Sequence, residues 1–146
     1  MKKTSTLILL LIFFLGSNAQ KNIYSALTIP DSLKKDADVV IREENIKLNI
    51  KDKNSASYQV QQVITVLNEQ GKKFLSFVQF ADKFHTLDDA EIKVYDLLGN
   101  KKQAYTKKEM ASLNYGEGLV PEGKITYFNV NAAAYPITVE FNYRIK

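Results

Sequence analysis

Hydrophobic and polar residues alternate along most of this chain with a period of two. Val39 and Ile41 are followed by Ile46, Leu48 and Ile50, each set apart by polar residues, which is the pattern of half-buried β-strands. The next run is richer, with Tyr58, Val60, Ile64 and Val66 on one face and Val63, Thr65 and Leu67 on the other. A strand apolar on both faces predicts a central position, covered twice. Residues 74–81, 90–95, 125–130 and 137–145 carry the same signature. In the last of these Ile137, Val139, Phe141 and Tyr143 oppose Thr138, Glu140, Asn142 and Arg144, so one face is expected to be buried and the other wet.

Turn chemistry connects the strands. Asn68-Glu69-Gln70-Gly71 and Asp96-Leu97-Leu98-Gly99 each place an Asx residue three positions before Gly, directly after a strand. The Asx side chain can hold the start of a turn and Gly the positive φ that follows, so both predict hairpins with a bulge. Thr106 and Glu109 have capping-box spacing and predict one helical turn. Residues 113–124, with Gly116, Gly118, Pro121 and Gly123, read as loop. Ile29-Pro30-Asp31-Ser32 reads as an extended segment entering a short helix with Asp31 as N-cap. The expected fold is all-β, an antiparallel β-sandwich with hairpins.

The amino terminus has a different pattern. Lys2 and Lys3 are a short basic start, residues 7–15 an unbroken apolar run, and Gly16, Ser17, Asn18 and Ala19 precede Gln20. That order is characteristic of a cleavable secretory signal peptide. A bilayer span needs about 20 apolar residues and this run has nine, so no membrane span is expected after cleavage, which is placed after Ala19. The product is expected to be exported, to the periplasm or outside the cell. Removing 19 of the 146 residues leaves 127, enough for one domain. The division is 1–19 signal peptide, 20–36 leader packed on the domain, and 37–146 sandwich.

With no Cys in the chain there is neither a lipid acceptor nor a disulfide. Stability must come from core burial, to which 45% hydrophobic and 11% aromatic residues are suited. The net charge of +4 falls to +2 without Lys2 and Lys3, and the remaining charges are interleaved in sign. A nucleic-acid binder would concentrate them, so no nucleic-acid partner is expected. Residues 138–146 alternate to the last position with no polar tail. This predicts a sandwich truncated at its carboxy-terminal end, whose last strand keeps one unpaired edge and draws copies together.

Four stretches carry a resemblance: Ala37-Asp38-Val39-Val40-Ile41-Arg42, Ile64-Thr65-Val66-Leu67-Asn68-Glu69-Gln70-Gly71-Lys72, Ala90-Glu91-Ile92-Lys93-Val94-Tyr95-Asp96 and Tyr135-Pro136-Ile137-Thr138-Val139-Glu140-Phe141-Asn142-Tyr143. In order and spacing they resemble a bacterial domain of unknown function that precedes transglutaminase-like domains in exported proteins. The resemblance implies an accessory antiparallel sandwich followed, in complete relatives, by a papain-like domain with a Cys, His and Asp site. This chain departs from that picture by having no Cys and no such domain, so no catalytic residue is carried over.

The residues themselves offer little chemistry. His85, the one histidine, stands near Asp82, but a loop position explains it better than a general base, because no nucleophile sits in a recognisable turn. Asp88, Asp89 and Glu91 lack the alternating order of a calcium loop and read as a solvated strand entry. No catalytic, cofactor or metal residue is therefore assigned, and the chain is not expected to be an enzyme. Most of Tyr95, Tyr105, Tyr115, Tyr127, Phe128, Tyr135, Phe141 and Tyr143 are expected to fill the core. A binding surface is expected at Tyr105, Tyr115, Lys101, Lys102, Lys107 and Lys108, where tyrosines stack on sugars and lysines meet anions. Three readings follow. The first is a non-catalytic module serving a downstream catalytic domain or another envelope protein. The second is an independent glycan- or envelope-binding module, and the third is the amino-terminal part of a transglutaminase-like enzyme.

Overall fold

The computed structural model describes residues 22–116 and 122–146. The signal peptide and its cleavage site, like Gly118 and Pro121, lie outside the described residues. Eight strands follow in chain order: β1 (Val39–Asp52), β2 (Ser55–Val66), β3 (Ser76–Ala81), β4 (Leu87–Tyr95), β5 (Lys101–Thr106), β6 (Ala111–Tyr115), β7 (Gly123–Asn129) and β8 (Ile137–Ile145). They form a five-stranded sheet in the order β1-β2-β8-β4-β5 and a three-stranded sheet in the order β3-β7-β6. Every pair is antiparallel. This is the all-β sandwich that the alternation predicts.

The core lies between the sheets. Ile137, Val139, Phe141 and Ile145 of β8 join Ile64, Val66, Ile92 and Val94 on one wall, against Leu75, Phe77, Met110 and Val130 on the other. Phe77 stacks on Phe141 at 6.1 Å between ring centroids and meets Tyr143 edge-on at 5.5 Å. Each fully buried aliphatic side chain of this kind contributes roughly 1.5–3 kcal/mol.

The strand expected to keep a free edge is the most enclosed one. β8 pairs with β2 from Ile137 to Ile145 and with β4 along its other side, so the unpaired edge anticipated there is overturned. The first half of its second face is not wet either, with Thr138 0% and Glu140 3% exposed, whereas Asn142 is half-buried and Arg144 exposed as expected. The leader supplies the cover, since Ala26 and Ile29 pack with Val40 and Leu67 on that side of the larger sheet. Thr138 is satisfied by a 2.8 Å hydrogen bond between its hydroxyl and that of Thr65. Burial on both faces of β2 at Val63, Ile64, Thr65 and Val66 matches the expectation of double cover.

The two turns differ. Asp96 accepts from the N–H groups of Leu98 at 3.0 Å and Asn100 at 2.9 Å, Gly99 takes φ +86°, and β4 and β5 close the expected hairpin with a register shift at Val94 and Tyr95. Asn68 instead caps a 3₁₀ segment, Glu69–Leu75, by accepting from the Gly71 N–H at 3.3 Å. That segment carries the chain from the larger sheet to the smaller, so no hairpin forms there, and β3 begins at Ser76 with Phe74 exposed. Gly71 is required for space: a Cβ there would lie 2.7 Å from the Asp38 carbonyl oxygen and 2.8 Å from methyls of Val39 and Val66.

Smaller corrections concern the segment ends. The helical turn Asp31–Lys34 is capped at Pro30, and Asp31 bonds Lys34 instead. Leu113 and Tyr115 are strand, not loop, and pair with Ile125 and Gly123. β1 is one long strand whose outer half is bare: Ile46, Leu48 and Ile50 are 66%, 63% and 68% exposed. It forms a hairpin arm with β2 through a turn in which Asp52 accepts from the Asn54 N–H at 2.8 Å.

Gly71→Ala is expected to destabilise the protein by about 1–3 kcal/mol, because all three neighbours are backbone or packed methyls with no room to yield. Urea unfolding measures it, and a loss below about 0.5 kcal/mol would show that the crossover adjusts.

Candidate functional site

The expected binding surface is divided by the fold. Lys101 and Lys102 sit on β5, the outer edge of the larger sheet. Tyr105 turns inward from the same strand, packs at 4.4 Å on Phe128, and donates its hydroxyl proton to Gln103 at 2.8 Å. Lys107 and Lys108 lie on the 3₁₀ turn Lys107–Glu109, where Glu109 accepts from the Thr106 N–H at 2.7 Å in the expected capping box. The Lys107 ammonium donates to the carbonyls of Leu87 and Asp88 and so binds β4 to this turn. Tyr115 belongs to the other sheet and meets Phe80 edge-on.

Lys107 shares one cavity with Tyr115 and another, of about 450 Å³, with Lys108. Lys107 and Tyr115 line a polar cleft of about 630 Å³ at one end of the sandwich, with Asp82, Thr86, Asn114 and Lys124. At another place Lys102 borders a more apolar cavity of about 580 Å³ walled by Tyr95, Leu97, Tyr135 and Pro136. Lys101 and Tyr105 line none of the three.

The acidic candidates are engaged structurally. Asp82 accepts the N–H groups of Phe84 and His85, each at 2.7 Å, and these bonds hold its carboxyl below the usual carboxylate range. The His85 ring lies 3.1 Å from the same carboxylate in an exposed loop. Asp88 is likewise lowered, chiefly by the 2.7 Å bond from Lys146, with Arg144 at 3.5 Å. Asp89 accepts from the Ala90 N–H, and Glu91 pairs with Lys93 at 2.8 Å. Among the described residues no group of three or more His, Asp or Glu is placed to hold a metal, and no helix is long and apolar enough to cross a membrane.

What the sequence reading missed is a buried polar cluster around Glu140. One carboxylate oxygen accepts from the Tyr95 hydroxyl at 2.9 Å, and the other accepts from the Gln61 amide at 2.7 Å. Lys93 stands 4.0 Å away, and Tyr24 of the leader stacks on Tyr95 at 4.1 Å. Desolvation first, then the bond to Glu140, pushes the Tyr95 hydroxyl well above the ordinary tyrosine range, and burial raises Tyr24 too. The cluster joins three strands of the larger sheet to the leader, and no buried side-chain polar atom among the described residues is left without a partner.

The exposed apolar residues form two surfaces. One is the inner side of the arm, with Ile41, Ile46, Leu48, Ile50 and Tyr58. The other is the outer face of the small sheet, where Val78, Phe80 and Leu113 are exposed and β7 places Ile125 between Phe80 and Leu113.

Comparison with known proteins adds one finding. Residues 52–146, more than half of the chain, match the family model of a Domain of Unknown Function with solved structure, DUF3857. No curated protein and no solved structure matches the chain.

The Glu140 cluster sets a pH expectation. A tyrosine whose folded pKa is raised stabilises the fold fully below its unfolded value, about 10, and that contribution is lost as pH climbs through the raised folded value. Tyr95→Phe is expected to cost about 1–3 kcal/mol at neutral pH, because it deprives a buried carboxylate of a donor. It should also flatten the loss of stability above about pH 10. Urea unfolding at pH 7 and pH 10.5 tests both, and equal stability of the two proteins at pH 7 would remove the cluster from any structural role.

Proposed function

The chain belongs to the DUF3857 family, and on that footing we propose that it is an exported bacterial accessory module that works by contact with other macromolecules and carries no catalysis of its own. The observation that carries this reading is the exposed apolar surface on the arm and on the outer face of the small sheet. Contiguous apolar area on a folded domain marks an interaction site more often than it marks unused surface. The His85, Asp82 and Asp88 side chains are each engaged in local structure, which favours the same reading. The partner we propose is a transglutaminase-like catalytic domain downstream on the same polypeptide, with another envelope protein as the alternative source. A coding sequence that continues past Lys146 into a Cys, then a His and an Asp, would support that partner, and a stop codon directly after it would remove it.

The polar cleft favours a second reading, an independent glycan-binding module, since it sets Tyr115 and Lys107 beside several hydroxyl- and amide-bearing groups. The two readings separate in one set of assays. Purified protein is expected to hydrolyse no peptide, ester or glycoside at a rate that any single substitution abolishes, and such a rate would overturn the accessory reading. Retention on a cell-wall polysaccharide column that falls at least about ten-fold with Tyr115→Ala would favour the glycan module, an effect of the size expected for losing one stacked aromatic.

A further inference from the structure

The small sheet is too narrow for the large one. It ends at β3, which pairs with β7 alone among the described strands, so one side of β3 presents unpaired backbone donors and acceptors. Beside that edge runs a groove of about 440 Å³. Its floor is the inner face of the large sheet, with Val39 and Ile41 of β1, Ile64 of β2, and Phe141 and Tyr143 of β8, and its wall is β3 with Phe74 and Lys73. Beyond the groove the same floor continues into the bare residues Ile46, Leu48 and Ile50.

We propose that this groove receives one extended segment of a partner polypeptide, which adds to the open edge of β3 as a fourth strand of the small sheet. An open edge next to an apolar floor is specific for such an occupant, because a strand satisfies the backbone row with its own N–H and C=O groups and sends every second side chain down onto the floor. The incoming strand runs antiparallel to β3, the better-bonded arrangement. Its downward residues are apolar. Charge fixes one position further: Lys73 is the one charged residue lining the groove, and no carboxylate among the described residues lies within ion-pair distance of it. Glu44, the nearest floor acid in register, is bonded by Gln62 at 2.7 Å. Lys73 precedes β3, so the occupant carries an acidic residue near its carboxy-terminal end.

The proposal rests on the reading of this chain as an interaction module, but the two can fail separately. The probe is a nine-residue peptide of alternating Val and Thr with Glu near its carboxy terminus, titrated into the full mature chain and followed by amide NMR. Shifts are expected at 76–81 and along 39–48. N-methylation of alternate peptide residues should weaken binding about ten-fold or more, the loss expected from several backbone bonds. Lys73→Glu should weaken it about three-fold, and a peptide with Lys in place of Glu should recover that loss. Ile41→Lys, at an exposed site that leaves folding intact, should weaken it about ten-fold. Indifference to N-methylation or to the charge exchange would overturn the strand. Shifts confined to Leu113 and Ile125 would place the contact on the outer face and leave only the broader module reading standing. Concentration-dependent broadening at β1 and β3 without peptide would assign the groove to a second copy of the chain, against the proposal.

Discussion

The structure depends on enclosing β8 from four directions. Its two edges are taken by β2 and β4, and its inner face, with Val139 at 0% exposure, meets the small sheet. The fourth direction is the demanding one, because Thr138 and Glu140 carry polar groups into a dry layer, where an unpartnered hydroxyl or carboxylate costs several kcal/mol. Each is therefore matched across the strands, Thr138 by Thr65 and Glu140 by Tyr95 and Gln61. The leader then closes the layer, with Ser25 donating to the Leu97 carbonyl and Arg42 bonding back to Ser25 and Thr28. A segment outside every strand is thus part of the core.

Enclosing β8 and β4 uses up the small sheet. The small sheet and its flanks cover β8, β4, the inward side of β5 and the Ile64–Val66 end of β2, and nothing is left for the outer half of the β1–β2 arm. The apolar residues of the arm are consequently exposed although their spacing is that of core residues. The family match begins at Asp52, so β1 lies upstream of the matched region while β2, which it pairs with along its whole length, lies inside it.

Much of this was legible in the alternation. Most strand positions, the Asp96 hairpin with its Gly99 and the capping box at Thr106 follow from period, turn chemistry and composition, which are local properties, whereas β6 falls where glycines and a proline predict loop. The errors share a different cause. Period two tells which residues share a face and nothing about what covers it, so it places Glu140 in water and Ile46, Leu48 and Ile50 in partial burial. Asn68 and Asp96 have the same spacing to Gly, yet one starts a crossover and the other a hairpin, because strand pairing is decided by distant partners: β2 had already been claimed by β1 and β8. The candidate surface failed for a similar reason, since Tyr105 and Tyr115, ten positions apart, belong to different sheets. The Glu140 cluster had no local signal, since Glu140 shares its face of β8 with Thr138, Asn142 and Arg144, and only the third dimension supplies Tyr95, Gln61 and Tyr24.

The strand that organises the fold is also the last of the eight to be synthesised. Until it arrives, β2 and β4 have no neighbour between them, the Glu140 donors have no acceptor, and the leader has no finished layer to cover. Contacts that join the two ends of a chain are slow to form, since loop closure must precede them. The β1–β2, β4–β5 and β6–β7 pairs join strands consecutive in the chain and need no help from β8, whereas the joining of β2 to β4 and the enclosure of Glu140 do. A chain stopped before Ile137 would therefore keep β2 and β4 as separate pieces, since β8 is the strand that stands between them.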